Sequence, residues 1–450
     1  MNARFAVMEI LIEWEKTLLP IDRLKDQWLQ QNPQIDSRDK NLIMAILYGV
    51  IRWRLYLDQV LSKFSKYPLN KMKPRTLQAL RVGLYQLIFM DRIPAAAAMN
   101  ETIKALKSAG QPKWLTGFVN GLLRNISRNR EGIPSPTEAT DIMPDHVRIS
   151  HPEWLFKRWL KRYGLAKTME ICETNNLLPD LCLRINTDQM QVDQYLAQLN
   201  TLGIYAERGR YAPHAVIVQD YKGTITGLPG FKDGHFQVQD EAAQLVVSLL
   251  GPVEKGKYLD GCAGLGGKTL QLAQILPPGS ELILIEPSET RAQLLLENLH
   301  RFDLMAGVRV LPMDIQDALP QYKESFRGVL VDAPCSGLGV IRRHPDIRWN
   351  RKEDGLARFQ EKQKEILAAA AAMTIPGGVV VYAVCSGEPE EGEEVVNDFL
   401  ANHQAFSLSD CKKVLPDSAR NLTDLRGCLT TFPDPKELDG FYAARLLKKS

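Results

Sequence analysis

Two cysteines follow apolar, β-branched runs that are typical of buried strands. Cys335 occurs in "LVDAPCSGLGV" and Cys385 in "VVVYAVCSGEP", and each is followed by Ser and Gly. A thiolate is a strong nucleophile, so both side chains are candidates for covalent catalysis. The other cysteines are scattered without a CxxC pair, which favours free thiols over disulfides and predicts no metal site.

A glycine-rich turn follows another apolar run, in "LDGCAGLGGKTLQLA". Glycines let the backbone approach a ligand closely, and the amides that open a helix at Lys268 and Thr269 can bind a carboxylate or a phosphate. The stretch is not a Walker A loop, because the upstream glycine is missing and Cys262 or Ala263 stands there. Taken alone, the turn indicates only a ligand with an anionic group.

Acidic residues come at the ends of four successive predicted strands: Asp260, Glu286, Asp314 and Asp332. An acid at this position accepts hydrogen bonds from ribose hydroxyls in dinucleotide-binding folds. One or two of these acids could instead cap the following helix. Together, and without a pyrophosphate-binding loop, they predict a nucleoside pocket and favour S-adenosylmethionine over NAD or ATP.

A methyl donor gives the two thiols a common chemistry. Addition of a thiolate to C6 of a pyrimidine makes C5 able to accept a methyl group, while a carboxyl near N3 protonates the ring. Asp332, three residues before Cys335, is placed for that role. The C5 proton must then leave before the adduct breaks, and a second thiol or a water can assist. The residues alone leave open which thiol attacks.

Hydrophobic periodicity predicts a multidomain chain. Residues 1–135 carry apolar residues three and four apart, which predicts an all-helical domain. After a Pro-, Ser- and Thr-rich linker over 130–145, residues 146–240 mix helices with short strands and predict a small α+β module. Residues 241–450 alternate strands with helices, which predicts a doubly wound α/β domain with a mostly parallel sheet. Ligands bind such sheets at the carboxyl ends of the strands, where both thiols are expected.

The composition is that of a globular chain, with 45% apolar and 24% charged residues among 450. No apolar run reaches roughly 18 residues and the N-terminal stretch carries acids, so we expect a cytoplasmic protein without a membrane span. The net charge is +3, but residues 51–130 hold 15 Lys and Arg against 3 Asp and Glu. This excess favours contact with a nucleic-acid backbone, although a solvated basic helix face would have the same composition.

The two thiol motifs, "DAPCSGLGVIRRHPDIRW" and "VYAVCSGEPEEGEEVV", resemble those of the RNA cytosine-5 methyltransferases of the NOL/NOP2/Sun superfamily. Nearly the whole chain is similar to the RsmB (Sun, Fmu) branch. The helical region resembles the NusB-like RNA-binding domain of that branch in "LYGVIRWRLYLD" and "GFVNGLLRN", the middle module in "HPEWLFKRWLKRYG", and the last residues in "DGFYAARL". Several independent motifs in one order make chance agreement implausible.

The resemblance implies a C-terminal Rossmann-like domain that methylates C5 of a cytosine in 16S rRNA, cytosine 967, with S-adenosylmethionine as cofactor. In this family the thiol equivalent to Cys385 forms the adduct with C6, the one equivalent to Cys335 helps to release the product, and Asp332 acts beside them. DNA cytosine methyltransferases attack with the Pro-Cys thiol instead, so the family decides the roles. The resemblance also implies a monomer that binds naked or early assembling 16S rRNA without a metal.

Binding residues follow from the same resemblance. The implied cofactor contacts are Cys262, Ala263, Gly264, Leu265, Gly266, Gly267, Lys268, Glu286, Arg291, Asp314 and Asp332. Lys268 is expected to contact Asp332 or the carboxylate of the methyl donor. The charged stretch after Cys335 is expected to bind RNA through Arg342, Arg343, His344 and Arg348. The acidic stretch 388–396 predicts the first turn of a helix, where the dipole favours acids.

Three departures from the family pattern remove no catalytic group. Gly264 and Leu265 stand where Ala-Pro is common, Glu286 replaces the usual Asp at the ribose, and Val384 replaces the Thr that commonly precedes the nucleophile. Two alternatives stay open. One is an rRNA-binding assembly factor that keeps the fold without turnover, and the other is the same chemistry on tRNA.

Overall fold

A computed structural model of the chain describes residues 2–138, 141–433 and 438–450, so residues 139–140 of the predicted linker lie outside the described residues. The α-helices are α1 (Ala3–Thr17), α2 (Ile21–Gln31), α3 (Ser37–Arg52), α4 (Arg54–Phe64), α5 (Pro74–Phe89), α6 (Ala95–Ser108), α7 (Lys113–Arg128), α8 (Asp145–Arg148), α9 (Glu153–Asn176), α10 (Val192–Thr201), α11 (Glu241–Ser248), α12 (Gly267–Ile275), α13 (Glu289–Arg301), α14 (Ile315–Tyr322), α15 (Ile347–Asn350), α16 (Gly355–Met373) and α17 (Glu393–Asn402). The strands are β1 (Leu181–Ile185), β2 (Ala206–Arg208), β3 (Ala215–Val218), β4 (Phe236–Val238), β5 (Lys257–Asp260), β6 (Glu281–Ile285), β7 (Val308–Leu311), β8 (Phe326–Asp332), β9 (Thr374–Val384), β10 (Phe406–Ser409), β11 (Leu429–Thr430) and β12 (Tyr442–Lys448).

The chain divides into two compact units, and the first comprises residues up to Leu177 together with Ile341–Glu353. Helix ends in this unit follow local sequence rules. The Asn2 side chain accepts a hydrogen bond from the Arg4 amide at 2.8 Å and caps α1, while Pro74 occupies the first turn of α5. Apolar residues at helical spacing fill one core, including Met8, Leu11, Trp14, Ile43, Ile46, Leu47, Leu80 and Leu84. The prediction of an all-helical N-terminal region is confirmed.

The second unit comprises residues 178–340 and 354–450, and it begins with a small antiparallel sheet. Its strand order is β2-β3-β1-β4, and α10 packs beside it. Alternating apolar residues of the strands and of α10 form its core: Leu183, Ile185, Tyr195, Leu199, Val216, Val218 and Phe236. This is the small α+β module that the sequence predicts.

The large sheet of the second unit carries the thiols. Its strand order is β10-β12-β9-β8-β5-β6-β7, with β11 paired to β12. The central strands β9, β8, β5, β6 and β7 are parallel, and helices α12, α13, α14 and α16 connect them. The predicted α/β fold is therefore confirmed. Strands β10, β11 and β12 form an antiparallel edge that the sequence reading did not assign.

Two local features complete the description. The acidic stretch 388–396 enters its helix later than predicted, because α17 begins only at Glu393 and leaves Glu388 and Glu391 in the preceding loop. No helix among the described residues is long and apolar enough to cross a membrane.

Candidate active site

The two thiols meet at one edge of the large sheet. Strands β8 and β9 are parallel neighbours whose pairing ends with Asp332 opposite Ala383, so the chain leaves both strands on the same side. The sulfur atoms of Cys335 and Cys385 lie 3.0 Å apart, and both residues are free thiols. The contact with Cys385, followed by burial, raises the pKa of Cys335 well above its usual value.

An ion pair lies beside the thiols. Lys268 Nζ donates to Asp332 Oδ2 at 2.6 Å, and the ammonium group also lies 5.1 Å from the centre of the Phe441 ring. Burial acts to lower the pKa of Lys268, but the charge and hydrogen bond of Asp332 outweigh it and the pKa lies above its usual value. The Cys385 sulfur contributes to that rise. The lysine therefore stays charged next to the thiol of β9, and the expected contact between Lys268 and Asp332 is present.

The glycine turn presents open backbone at the neighbouring strand end. It connects β5 to α12, and both Gly264 (φ +56°) and Gly266 (φ +93°) adopt the left-handed conformation. A Cβ at Gly266 would lie 2.7 Å from Leu295, whereas one at Gly264 or Gly267 would meet nothing within 4 Å. The backbone at Gly264 and Gly267 thus borders free space that a ligand can enter, as the sequence predicts for this turn.

Asp260 supports the turn from inside the protein. Its carboxylate accepts hydrogen bonds from Thr269 Oγ1 at 2.7 Å and from the Cys262 amide at 3.3 Å. Burial raises the pKa of Asp260 to about 6, although both hydrogen bonds oppose the rise. This acid is committed to the turn rather than exposed toward a ligand.

The next two strand ends carry the other predicted acids. Glu286 is buried after β6, accepts a hydrogen bond from the Ser288 amide at 2.8 Å and forms an ion pair with Arg291 at 2.7 Å. The Arg291 side chain is 55% exposed, so the arginine end of this ion pair faces solvent. Asp314 is exposed at the start of α14. Both acids lie at the same carboxyl edge as the glycine turn.

Two of the predicted RNA-binding residues are buried, which corrects that part of the prediction. Arg348 has 0% exposure, and its guanidinium donates to the Ser150 carbonyl at 3.1 Å and to Asn176 Oδ1 at 2.8 Å within the helical unit. Arg342 is 2% exposed. Neither side chain is accessible to RNA in this structure. Arg348 instead links α15 to residues near Ser150 and to the end of α9 inside the helical unit. His344 is exposed and Arg343 is half-buried, and RNA binding by these two residues stays a prediction.

Three family models match consecutive parts of the chain. The NusB family matches residues 1–128, a ferredoxin-like domain of RsmF/B-like methyltransferases matches 151–223, and 16S rRNA methyltransferase RsmB/F matches 247–447. A probable ribosomal RNA small subunit methyltransferase B of Bacillus subtilis is 34% identical over all of this chain and 99% of the relative. The chain belongs to the RsmB/F family of 16S rRNA methyltransferases. The assignment as a methyltransferase with a NusB-like domain is thereby confirmed.

Other relatives of this RsmB/F methyltransferase agree. The ribosomal RNA small subunit methyltransferase B of Vibrio cholerae is 37% identical over 92% of this chain and 91% of its own length. A solved methyltransferase homologue from Pyrococcus horikoshii superposes with a TM-score of 0.58 and is 25% identical, covering 69% of this chain and all of its own. NSun6 from the same organism, solved with SFG, has a TM-score of 0.57 at 19% identity, covers 66% of this chain and 98% of its own, and supports the fold alone.

One residue of the site was missed by the sequence reading. Glu391 is fully buried behind the thiols, where its carboxylate accepts hydrogen bonds from both Ser336 and Ser386. The only related signal in the sequence is the repeated Cys-Ser-Gly, which places a serine hydroxyl after each thiol. Because Glu391 lies in the acidic stretch 388–396, the sequence analysis placed it among the acids in the first turn of a helix.

Proposed function

We propose that this chain transfers a methyl group from S-adenosylmethionine to C5 of a cytosine in 16S rRNA, cytosine 967, through a covalent adduct between a cysteine and C6. One observation carries the proposal: two thiols 3.0 Å apart lie beside the Lys268–Asp332 ion pair at the carboxyl edge of a parallel sheet. A nucleophile, a second thiol and a carboxyl are the groups that the reaction needs.

The cofactor site is proposed along the same edge. The open backbone from Cys262 to Lys268 suits an anionic group, and Glu286 and Asp314 suit the hydroxyl and amine donors of a nucleoside. The free space beside Gly264 and Gly267 supports this fit. When bound there, S-adenosylmethionine supplies an electrophilic methyl group.

Attack is assigned to Cys385. Its thiolate adds to C6, and the π-electron pair of the C5–C6 bond moves so that C5 becomes nucleophilic. N3 takes up the proton that Lys268 and Asp332 share, and returns it to this pair when the adduct breaks. Lys268 fixes the Asp332 carboxyl at 2.6 Å. The raised pKa of Cys335 supports this assignment, because a protonated thiol is a poor nucleophile.

Release is assigned to Cys335. After methylation the C5 proton leaves to a base, the C5–C6 double bond forms again, and the bond between C6 and the Cys385 sulfur breaks. Cys335, 3.0 Å from that sulfur, donates a hydrogen bond to the departing thiolate. Loss of Cys335 would therefore leave the adduct in place.

RNA binding is proposed for the helical unit. Its segment 51–130 holds 15 basic residues against 3 acidic ones, and the unit also contains Arg343 and exposed His344. Such an excess displaces counterions from the phosphate backbone. The proposed partner is naked or early assembling 16S rRNA, bound by a monomer that needs no metal.

The test is methylation of naked 16S rRNA by the full-length chain with S-adenosylmethionine that carries a labelled methyl group. We expect incorporation into this RNA, bisulfite protection at cytosine 967, and no incorporation into tRNA. Incorporation of label into tRNA alone would contradict 16S rRNA as the substrate but would agree with the proposed reaction. Specific RNA binding without any incorporation would instead support a non-catalytic assembly factor.

A further inference from the structure

Glu391 has no part in the steps above, although it lies directly behind them. It follows Cys385 by six residues in the loop before α17 and has 0% exposure. Its carboxylate accepts hydrogen bonds from Ser336 Oγ at 2.5 Å and from Ser386 Oγ at 2.6 Å. The Ser336 amide also donates to it, at 2.6 Å. Each of these serines directly follows one of the two thiols.

The turns that carry the thiols extend beyond the support of the sheet. Backbone pairing between β8 and β9 ends with Asp332 opposite Ala383, followed by one hydrogen bond from the Ala333 amide to the Ala383 carbonyl at 2.8 Å. Farther along, the Gly339 amide donates to the Cys385 carbonyl at 3.1 Å. Regular strand pairing therefore does not set the distance between the sulfur atoms.

The loop that carries Glu391 is itself anchored. Gln363 on α16 donates to the Glu391 carboxylate at 3.3 Å and to the Pro334 carbonyl at 3.0 Å. The Tyr382 hydroxyl of β9 donates to the Glu391 carbonyl at 2.5 Å. Burial of a carboxylate is costly unless several donors surround it, and here two hydroxyls, one amide and one side-chain amide do so. The carboxylate is thus a fixed point between the two turns.

We propose that Glu391 is the positioning residue that holds Cys335 and Cys385 at the separation and orientation required for attack and release. It acts through Ser336 and Ser386 and does not touch the substrate. The catalytic part of this inference rests on the proposed function, whereas the effect on thiol geometry can be measured without RNA or cofactor.

The first experiment measures that geometry in the full-length protein with oxidised glutathione. One thiolate of the pair attacks the glutathione disulfide and releases one glutathione, and the second thiol then displaces the other, so two thiols yield one disulfide and two glutathione molecules. Peptide mapping follows the Cys335–Cys385 disulfide. Both serine hydroxyls donate to Oε2 of Glu391, whereas the Ser336 amide and the Gln363 side chain donate to Oε1. Glu391→Gln replaces one of these oxygens by an amino group and loses the donors on that side, so we expect disulfide formation to slow about tenfold. The exposed Glu394→Gln is the matched control and should keep the wild-type rate.

The second experiment separates positioning from general stability and does not require Glu391→Gln to fold. Ser386→Ala should slow formation of the RNA adduct, whereas Ser336→Ala should form the adduct and slow its breakdown, each by about tenfold. Both rates are read on denaturing gels after one turnover, together with the melting temperature. A structural role alone would lower the melting temperature of both variants without this division between attack and release.

These experiments distinguish failure of the positioning role from failure of the proposed function. A wild-type protein that forms the disulfide rapidly but no RNA adduct contradicts the proposed function and leaves the positioning role supported. Disulfide formation in Glu391→Gln at or above the wild-type rate overturns the positioning role, as do Ser336→Ala and Ser386→Ala variants with equal rates of attack and release.

Discussion

The thiol half of the site and the half proposed to bind the cofactor are held in place by different means. On the thiol side, one buried carboxylate, Glu391, joins two turns through side-chain hydrogen bonds. In the other half, the backbone adopts left-handed conformations at Gly264 and Gly266. The buried Asp260 carboxylate stabilises this turn by accepting a hydrogen bond from Thr269.

The difference predicts two kinds of sensitivity. A side-chain network conveys a change at one turn to the other, so substitutions there should alter reaction steps. A backbone turn responds to a single added Cβ, so substitutions there should alter ligand affinity. If substitutions in both halves changed the rate of the chemical step and the ligand affinity together, this division would be wrong.

The largest effect is expected at the thiols. Cys385→Ala removes the proposed nucleophile and should lower methylation of 16S rRNA by about 10³-fold or more. Cys335→Ala should also lose turnover, but with an RNA adduct that resists denaturing electrophoresis. Cys172→Ala, at a buried thiol of the helical unit, is the control and should keep activity. If Cys335→Ala formed no adduct and Cys385→Ala kept activity, the two roles would be reversed.

A smaller effect is expected at the ion pair. Asp332→Asn removes the carboxyl that holds the proton on the ring and should lower kcat about 10²-fold, within the usual range of acid–base catalysis. Single-turnover assays at saturating RNA measure the rate, and calorimetry measures cofactor affinity. Because Lys268 donates to this carboxyl, Lys268→Met should reproduce part of the loss. An unchanged rate in Asp332→Asn would remove this residue from the mechanism.

At the glycine turn we expect a loss of binding rather than of chemistry. Gly266→Ala places a Cβ 2.7 Å from Leu295 and a side chain at φ +93°, which costs about 1 to 2 kcal/mol. The Kd for S-adenosylmethionine should rise about tenfold, while the rate at saturating cofactor stays near that of the wild type. Calorimetry and single-turnover rates together test this. A fall in the saturated rate with unchanged Kd would contradict the division between the two halves.

The last effect concerns stability and its dependence on pH, not the reaction. Burial raises the pKa of Asp260 to about 6, above the value of about 3.9 expected in the unfolded chain. The folded state therefore binds more protons between these values, and the stability contributed by the protonated acid is lost as the pH rises through about 6. Asp260→Asn does not titrate, so its unfolding free energy relative to wild type should increase by about 2 kcal/mol from about pH 4 to about pH 7. Urea denaturation measures both proteins, and a difference independent of pH would contradict this assignment.

The sequence predicted the parts of the fold that depend on local pattern. Continuous apolar runs predicted the parallel strands β5, β6, β8 and β9, because such strands are buried on both faces. The antiparallel strands β10, β11 and β12 were not assigned, because the alternation of strands with α-helices that indicated the parallel strands ends at α17. The place of β10 and β11 in the sheet is decided by pairing with β12, which no local pattern shows.

The site shows the same limit. The thiols, Asp332 and the glycine turn could be predicted because each is part of a short motif at a strand end. Arg348 was misassigned because charged residues usually face solvent, and its partners at Ser150, Asn175 and Asn176 are about 200 positions away in the chain. Glu391 was missed for the same reason: its donors come from three separate segments.

The pairing of β9 with β12 has a consequence for folding kinetics. The strand that leads to Cys385 gains its second neighbour from Tyr442–Lys448, almost sixty residues farther along the chain, over a register from Val384 to Val379. Contacts between such distant segments form after the local helices, because they require closure of a long loop. Until then β9 is an exposed edge and both thiols are open to solvent, so a folding intermediate of this enzyme is expected to be sensitive to oxidation and to aggregation.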